Sequence, residues 1–226
     1  MTIDSGLIRS PDGVARCAWC AATPEYVQYH DAEWGFPVRD DRRLFEKLSL
    51  EGFQSGLSWL TILRKREAFR TAFANFEANK VTRFTPKKVE QLLLNADIIR
   101  HRGKIEATIN NARRVADLVD EFGSLADYVW RYEPAATARP RKMTLAVLRT
   151  LGQSETSQAL SRDLKKRGWS FVGPTTVYAF MQAMGLVNDH LDGCAIRGAV
   201  EEERKSQQRK SQQRKSQGRR KQQREE

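Results

Sequence analysis

The stretch Leu164-Lys165-Lys166-Arg167-Gly168-Trp169-Ser170-Phe171-Val172-Gly173-Pro174-Thr175-Thr176 carries the pattern that decides the fold. A basic segment ends near Gly168, a short turn follows, and a second segment begins near Thr175 and runs through Tyr178, Phe180 and Met181 to Gly185. This reads as two helices joined by a tight hairpin. In such a hairpin the glycines Gly168 and Gly173 let the backbone come close to a neighbour, and N–H groups at the start of the second helix can face a phosphate. Lys165, Lys166 and Arg167 add charge without sequence preference. On these residues alone, an ordinary helical hairpin with solvated lysines reads as well as a DNA-backbone contact.

Upstream of the hairpin the helical signals continue. Asp40 or Asp41 can cap a segment carrying Leu44, Phe45 and Leu48, and Ser58 one carrying Leu60, Leu63 and Phe69. Thr85-Pro86 opens another through Val89, Leu92 and Leu93, and residues 103 to 122 form a long one with Ile105, Ile109, Ala112, Val115 and Val119 on related faces. Strand alternation is almost absent, so the expected class is all-α. Residues 1–15, with Gly6, Pro11 and Gly13, read as a flexible leader. Residues 16–198 form the helical domain, with the hairpin near 160–185. Within it, Pro134 and Pro140 mark 133–153 as an exposed connection. Residues 199–226 read as a basic low-complexity tail, with a five-residue Arg-Lys-Ser-Gln-Gln period, expected to be disordered.

The chain has 226 residues, is 40% hydrophobic and carries a formal charge of +11. The last 26 residues hold ten Lys/Arg against five Glu, so they account for +5 and leave +6 on the rest. A basic body favours polyanions, with nucleic acid as the first partner to consider. No apolar run approaches the length of a membrane span and no secretion signal is evident, so no membrane association and a cytoplasmic location are expected, with a monomer as the working unit.

Three cysteines are an odd number and argue against a secreted disulfide framework. Two pairs stand out, Cys17 with His30 near the start and His190 with Cys194 near the end. Together they offer the two sulfur and two nitrogen ligands of a tetrahedral structural zinc, and such a link would close almost the whole domain in one loop. The alternative is two small buried thiols and two unrelated histidines. Cys20 lies close enough to compete with Cys17.

In the helix after Asp41, positions 44, 48 and 51 share a face, which puts the carboxylate of Glu51 on an apolar stripe. An ionised acid there needs a partner or a wet cleft, so Glu51 is either salt-bridged or placed for ligand recognition and acid/base work. Trp19, Tyr26, Tyr29, Trp34 and Trp59 all come from the first quarter of the chain, which allows an aromatic-walled pocket for a planar base.

Taken together, Arg16-Cys17-Ala18-Trp19, Tyr29-His30-Asp31-Ala32-Glu33-Trp34-Gly35, Leu50-Glu51-Gly52-Phe53-Gln54-Ser55-Gly56-Leu57-Ser58-Trp59, Ile98-Ile99-Arg100-His101-Arg102-Gly103-Lys104, the hairpin, and Gly185-Leu186-Val187-Asn188-Asp189-His190 resemble the 3-methyladenine DNA glycosylase I family over roughly residues 16–196. The resemblance implies a helix-hairpin-helix glycosylase fold, with one structural Zn2+ on Cys17, His30, His190 and Cys194 joining the N- and C-terminal segments. It implies a base pocket of Glu51, Trp59, Tyr29 and Trp19, with Tyr26 close by, and a substrate in alkylated double-stranded DNA, flipped out before its N-glycosidic bond is hydrolysed. Many relatives in the wider superfamily carry a water-assisting aspartate after the hairpin. Here the comparable run is Val187-Asn188-Asp189-His190, where Asn188 stands in that place unless Asp189 turns inward. No lysine is suitably placed for a Schiff base, so the expected enzyme is a monofunctional hydrolase without lyase action.

Overall fold

The computed structural model describes residues 5–209. Two short strands, β1 (Leu7–Arg9) and β2 (Ala15–Cys17), open the chain. They are followed by α1 (Pro24–Ala32), α2 (Asp41–Gln54), α3 (Trp59–Arg64), α4 (Arg66–Ala72), α5 (Ala78–Val81), α6 (Pro86–Leu94), α7 (Arg102–Phe122), α8 (Leu125–Val129), α9 (Leu145–Thr150), α10 (Glu155–Lys166) and α11 (Pro174–Ala183). A last helix, α12, spans 195–209. Among the described residues no helix is long and apolar enough to cross a membrane.

Helix starts lie where the cap residues stand. The side chains of Asp40, Ser58 and Thr85 accept hydrogen bonds from the N–H groups of Arg43, Thr61 and Lys88. Asp41 caps a different helix: its carboxylate takes the Leu125 and Ala126 N–H groups at 3.0 and 2.8 Å and so ties α8 to α2. Helix α2 departs from the expected single stripe, because every residue from Leu44 to Phe53 is buried. It runs through the middle of the molecule and packs against α3, α7, α8 and α11. Phe53, Phe69, Phe73 and Phe76 form a connected ring cluster beside it, with centroids 4.6 to 6.2 Å apart. A helix enclosed on all sides can project polar groups only into cavities between its neighbours.

Three expectations about organisation need correction. The leader is not loose beyond residue 4, since β1 and β2 pair antiparallel with Leu7 opposite Cys17. Gly13, at φ +80°, closes the turn, and the Arg16 guanidinium binds both Asp12 and Asp31. The strands are too short for alternation to register, but they fix Cys17. Residues 133–153 are not a bare exposed connection either. Met143 is buried, Arg139 reaches the Asn188 carbonyl and Asp189 at 2.9 and 2.7 Å, and α9 forms within the segment.

The polar tail is helical and docked as far as residue 209. Val200 is fully buried, Arg204 donates to the Gly185 carbonyl and to Glu133, and Gln207 donates to the Pro37 carbonyl. One valine and the fork of a guanidinium do here what a run of apolar residues does elsewhere. The rest of the tail lies outside the described residues.

Candidate functional site

Cys17 at the end of β2, His30 on α1, and His190 and Cys194 after α11 are all buried, and their ligand atoms lie within 4.8 Å of one another. His30 Nε2 lies 3.1 Å from His190 Nδ1 and 3.5 Å from Cys194 Sγ, and His190 Nδ1 lies 3.7 Å from the same sulfur. Bonds of about 2.0 to 2.3 Å to one tetrahedral ion give ligand separations of this size.

The outer nitrogens support that geometry. His190 Nε2 lies 2.9 Å from the Trp34 carbonyl, which can only accept, so that nitrogen carries the proton and Nδ1 presents a lone pair inward. His30 Nδ1 lies 2.7 Å from Asp31 Oδ1, the carboxylate support usual for a ligating imidazole. A proton on His30 would join the two rings alone; one cation would satisfy all four residues. Hydrogen bonding from Cys17 holds the Cys194 thiol far below its usual range, with His190 and His30 adding to the effect, and the same contact raises Cys17. Cys20 is buried beside His30 and is not one of the four.

The aromatic pocket is built directly on this cluster. The Trp19 ring meets His30 edge to face at 5.4 Å and Trp34 at 5.1 Å, and Trp34 meets His190 at 4.7 Å. Trp19 follows Cys17 by two residues, so whatever anchors the sulfur sets the indole. Tyr26 lies 5.7 Å from Trp19, and its hydroxyl accepts the Leu60 N–H at 2.9 Å, holding the start of α3 against α1. Trp59, the first residue of α3, tilts against Tyr29 at 5.4 Å. These rings enclose a cavity of about 360 Å³, within the usual range for small-ligand sites.

Trp19, Tyr26, Tyr29, Glu51 and Trp59 all line that cavity, as the sequence anticipated. Trp34, noted in the sequence only as part of an aromatic cluster, lines it too. Sequence reasoning did not reach Gln54, Gln182, Leu148 and Leu151. Gln54, one turn after Glu51, was within reach of helical spacing; the two leucines belong to the segment read as an exposed connection.

Glu51 is 5% exposed and pairs with Lys47 Nζ at 2.7 Å, one turn earlier on α2. Lys47 also donates to the Tyr29 hydroxyl at 2.9 Å and lies 3.1 Å from the centroid of the Trp59 ring. Burial pushes its ammonium down to about 8, with Glu51 opposing the shift, and burial next to Glu51 drives the Tyr29 hydroxyl well above its ordinary range. The alternatives left open for Glu51 therefore both apply: it is salt-bridged and it faces a cavity. Its partner was legible as the residue four positions before it.

The hairpin runs from α10 through residues 167–173 to α11. Gly168 has φ +82°, the left-handed conformation that favours glycine. The turn is pinned to α7 by Asn110, which donates to the Gly168 carbonyl at 2.7 Å. Asn111 pins it again, exchanging hydrogen bonds with the Ser170 carbonyl and N–H, both 2.9 Å. Neither asparagine stood out in the sequence. Lys165 and Lys166 are exposed. Arg167 is engaged within the protein: its guanidinium is held by Glu121 at 2.6 and 3.1 Å and by Asp163 at 2.9 Å, which braces the hairpin. Gly173 is the N-cap of α11 and offers no side-chain cap, and Pro174 at the first turn has no N–H.

Asp189 does not turn into the pocket. It is 1% exposed and accepts hydrogen bonds from Arg139 and Tyr178 at 2.7 Å and from Gln182 at 2.9 Å. The Asn188 side chain accepts the His190 N–H and donates to the Arg197 carbonyl. Both residues after α11 are thus spent on holding the cluster end in place.

The sequence profile described as methyladenine glycosylase matches residues 19–197. DNA-3-methyladenine glycosylase 1 of Escherichia coli K12 is 46% identical over 179 residues, covering 79% of this chain and 95% of that protein. A crystal structure of a 3-methyladenine DNA glycosylase I superposes with a TM-score of 0.73 at 45% identity, covering 80% of this chain and 98% of the other. A structure of the Staphylococcus aureus 3-methyladenine DNA glycosylase I, which concerns its recognition of 3-methyladenine, matches with a TM-score of 0.70 at 36% identity over 80% of this chain and 96% of its own.

Proposed function

The chain belongs to the methyladenine glycosylase family and is thus a hydrolase of N-glycosyl bonds, and from that premise we propose that it removes 3-methyladenine from alkylated double-stranded DNA by drawing the damaged nucleotide into the aromatic pocket. The observation that carries the reading is a buried carboxylate, Glu51, set in a cavity walled by Trp19, Tyr29 and Trp59. Methylation at N3 leaves adenine cationic, so its bond to deoxyribose is already weak and the leaving base needs little protonation. Electron-rich rings select such a base, each well-placed face contributing about 0.5 to 2 kcal/mol. Glu51 takes the edge of the base by hydrogen bonding and charge complementarity. Tyr26 positions the wall.

Turning the nucleotide out costs a few kcal/mol, which contacts to the DNA backbone at the hairpin offset. Exposed Lys165 and Lys166, with the backbone at Gly168 and Gly173, are assigned to those contacts. The left-handed turn at Gly168 supports a helix-hairpin-helix reading. Water then captures the sugar and leaves an abasic site. The reading is of a monofunctional hydrolase and includes no lyase step. Asp189, fully engaged by Arg139, Tyr178 and Gln182, is not the group that activates water.

The four-residue cluster fits zinc best, since thiolate and imidazole in equal number suit that ion. Cys17, His30, His190 and Cys194 would hold it with no coordination position left for substrate, so its contribution is to structure. The protein is assigned to the cytoplasm and to action as a monomer. The deciding experiment measures free 3-methyladenine released from methylated duplex DNA. Release is expected from the wild type; a protein that binds the duplex and releases none refutes the reading.

A further inference from the structure

Tyr29, Glu51 and Trp59, three of the residues assigned to the damaged base, share a single cation. Lys47 touches all three, through the contacts at 2.9, 2.7 and 3.1 Å, and is 5% exposed. It does not line the base pocket. It borders a separate cavity of about 30 Å³ whose walls also include Tyr29 and Trp59, so the two cavities share those rings.

The charged groups around Lys47 assign it to Glu51. From α2 come Arg43 and Glu46, from the end of α1 Glu33, and from α4 Arg66 and Arg70. Glu33 is held by Arg66 at 2.6 and 3.0 Å, and Glu46 by Arg70 at 2.7 Å. Glu51 is the carboxylate left for Lys47. Without a partner, a carboxylate this deeply buried costs several kcal/mol to keep charged and takes up a proton instead. A protonated carboxyl has lost its negative charge and has turned one acceptor site into a donor.

We propose that Lys47 is a positioning residue for base recognition, holding Glu51 charged and aimed while fixing the Tyr29 hydroxyl and the Trp59 face that complete the pocket. This inference rests on the pocket being the site of a positively charged base.

The test is single-turnover release of 3-methyladenine from methylated duplex by wild type, Lys47→Met, Lys47→Gln and Lys47→Arg, from about pH 5 to about pH 9. In the Met and Gln variants the acid limb of the rate is expected to move up by about one to three pH units, the size of shift an adjacent opposite charge produces. Above about 8, where Lys47 itself gives up its proton, the ratio of wild-type to Met-variant rates should no longer change with pH. Lys47→Arg should restore the wild-type limb, and in an Glu51→Gln background Lys47→Met should leave the pH profile unmoved. Two neutral variants guard against one failing to fold. A Met or Gln profile parallel to the wild type at every pH, as a mere packing defect gives, overturns the inference. Absence of release by the wild type refutes the reading of the pocket instead, so the two failures are told apart.

Discussion

The base pocket and the hairpin stand at opposite extremes of how a site can be made. The pocket is assembled from side chains: Trp19, Tyr29, Glu51 and Trp59 come from four segments, and two of its walls lean on His30 and His190. The hairpin is made chiefly of backbone, shaped by a left-handed glycine and held from behind by Asn110, Asn111 and Arg167. Recognition by side chains fails at a single substitution, because each group has one place and one partner. Recognition by backbone dipoles and exposed lysines weakens by degrees.

The largest expected effect tests whether the pocket depends on the cluster beneath it. Cys194→Ala, or a chelator that removes the proposed metal, is expected to lower stability by more than about 3 kcal/mol and to abolish excision, since Trp19 and Trp34 lose the frame they pack on. Thermal unfolding with metal analysis measures it; a variant free of metal with unchanged melting and activity would separate pocket from cluster. Next comes Glu51→Gln, expected to slow single-turnover excision by about ten- to hundredfold, the worth of one hydrogen bond to a charged group. Its affinity for duplex DNA should stay close to that of wild type, which a titration with labelled DNA checks. A parallel loss of binding would mean that Glu51 acts on the backbone contact as well.

On the hairpin side, Asn111→Ala removes two hydrogen bonds at once and leaves the Ser170 N–H and carbonyl without their protein partner. A stability loss of about 1 to 3 kcal/mol in denaturant titration is expected, with a smaller effect on excision per bound complex. Should excision collapse at saturating DNA, the hairpin would be setting the pocket after all. The smallest change is the double replacement of Lys165 and Lys166 by Ala. It is expected to weaken binding to all sequences alike and to reduce the slope of log affinity against log salt by about 2. An unaltered slope would remove these lysines from the interface.

Much of this contrast could be read along the chain. Helix starts at Asp40, Ser58 and Thr85 were legible because a cap is a local hydrogen bond between residues three apart. Glu51 was legible because helical spacing alone puts it opposite solvent. The four cluster residues stood out by chemistry, yet their meeting could only be inferred, since 160 residues separate His30 from His190. Lys47 could have been found one turn before Glu51, but nothing in the spacing says that Glu33 and Glu46 are claimed by Arg66 and Arg70. Arg167 looked like its lysine neighbours, and only the approach of α7 gave it Glu121. Val200 and Arg204 were hidden in a polar repeat because two anchors do not alter a composition.

By itself the sequence determined the class of fold, several helix starts, the presence of two cysteine-histidine pairs and the presence of an acid among aromatics, because each is a matter of periodicity, local capping or side-chain chemistry. Tertiary structure alone decided which charges are free. Every Arg and Glu is equally ionic in a linear chain, and only packing determines whether a partner lies within hydrogen-bond reach. That choice separates Lys165, open to solvent, from Arg167, bound twice, and Asp189, locked in place, from Glu51, turned toward a cavity.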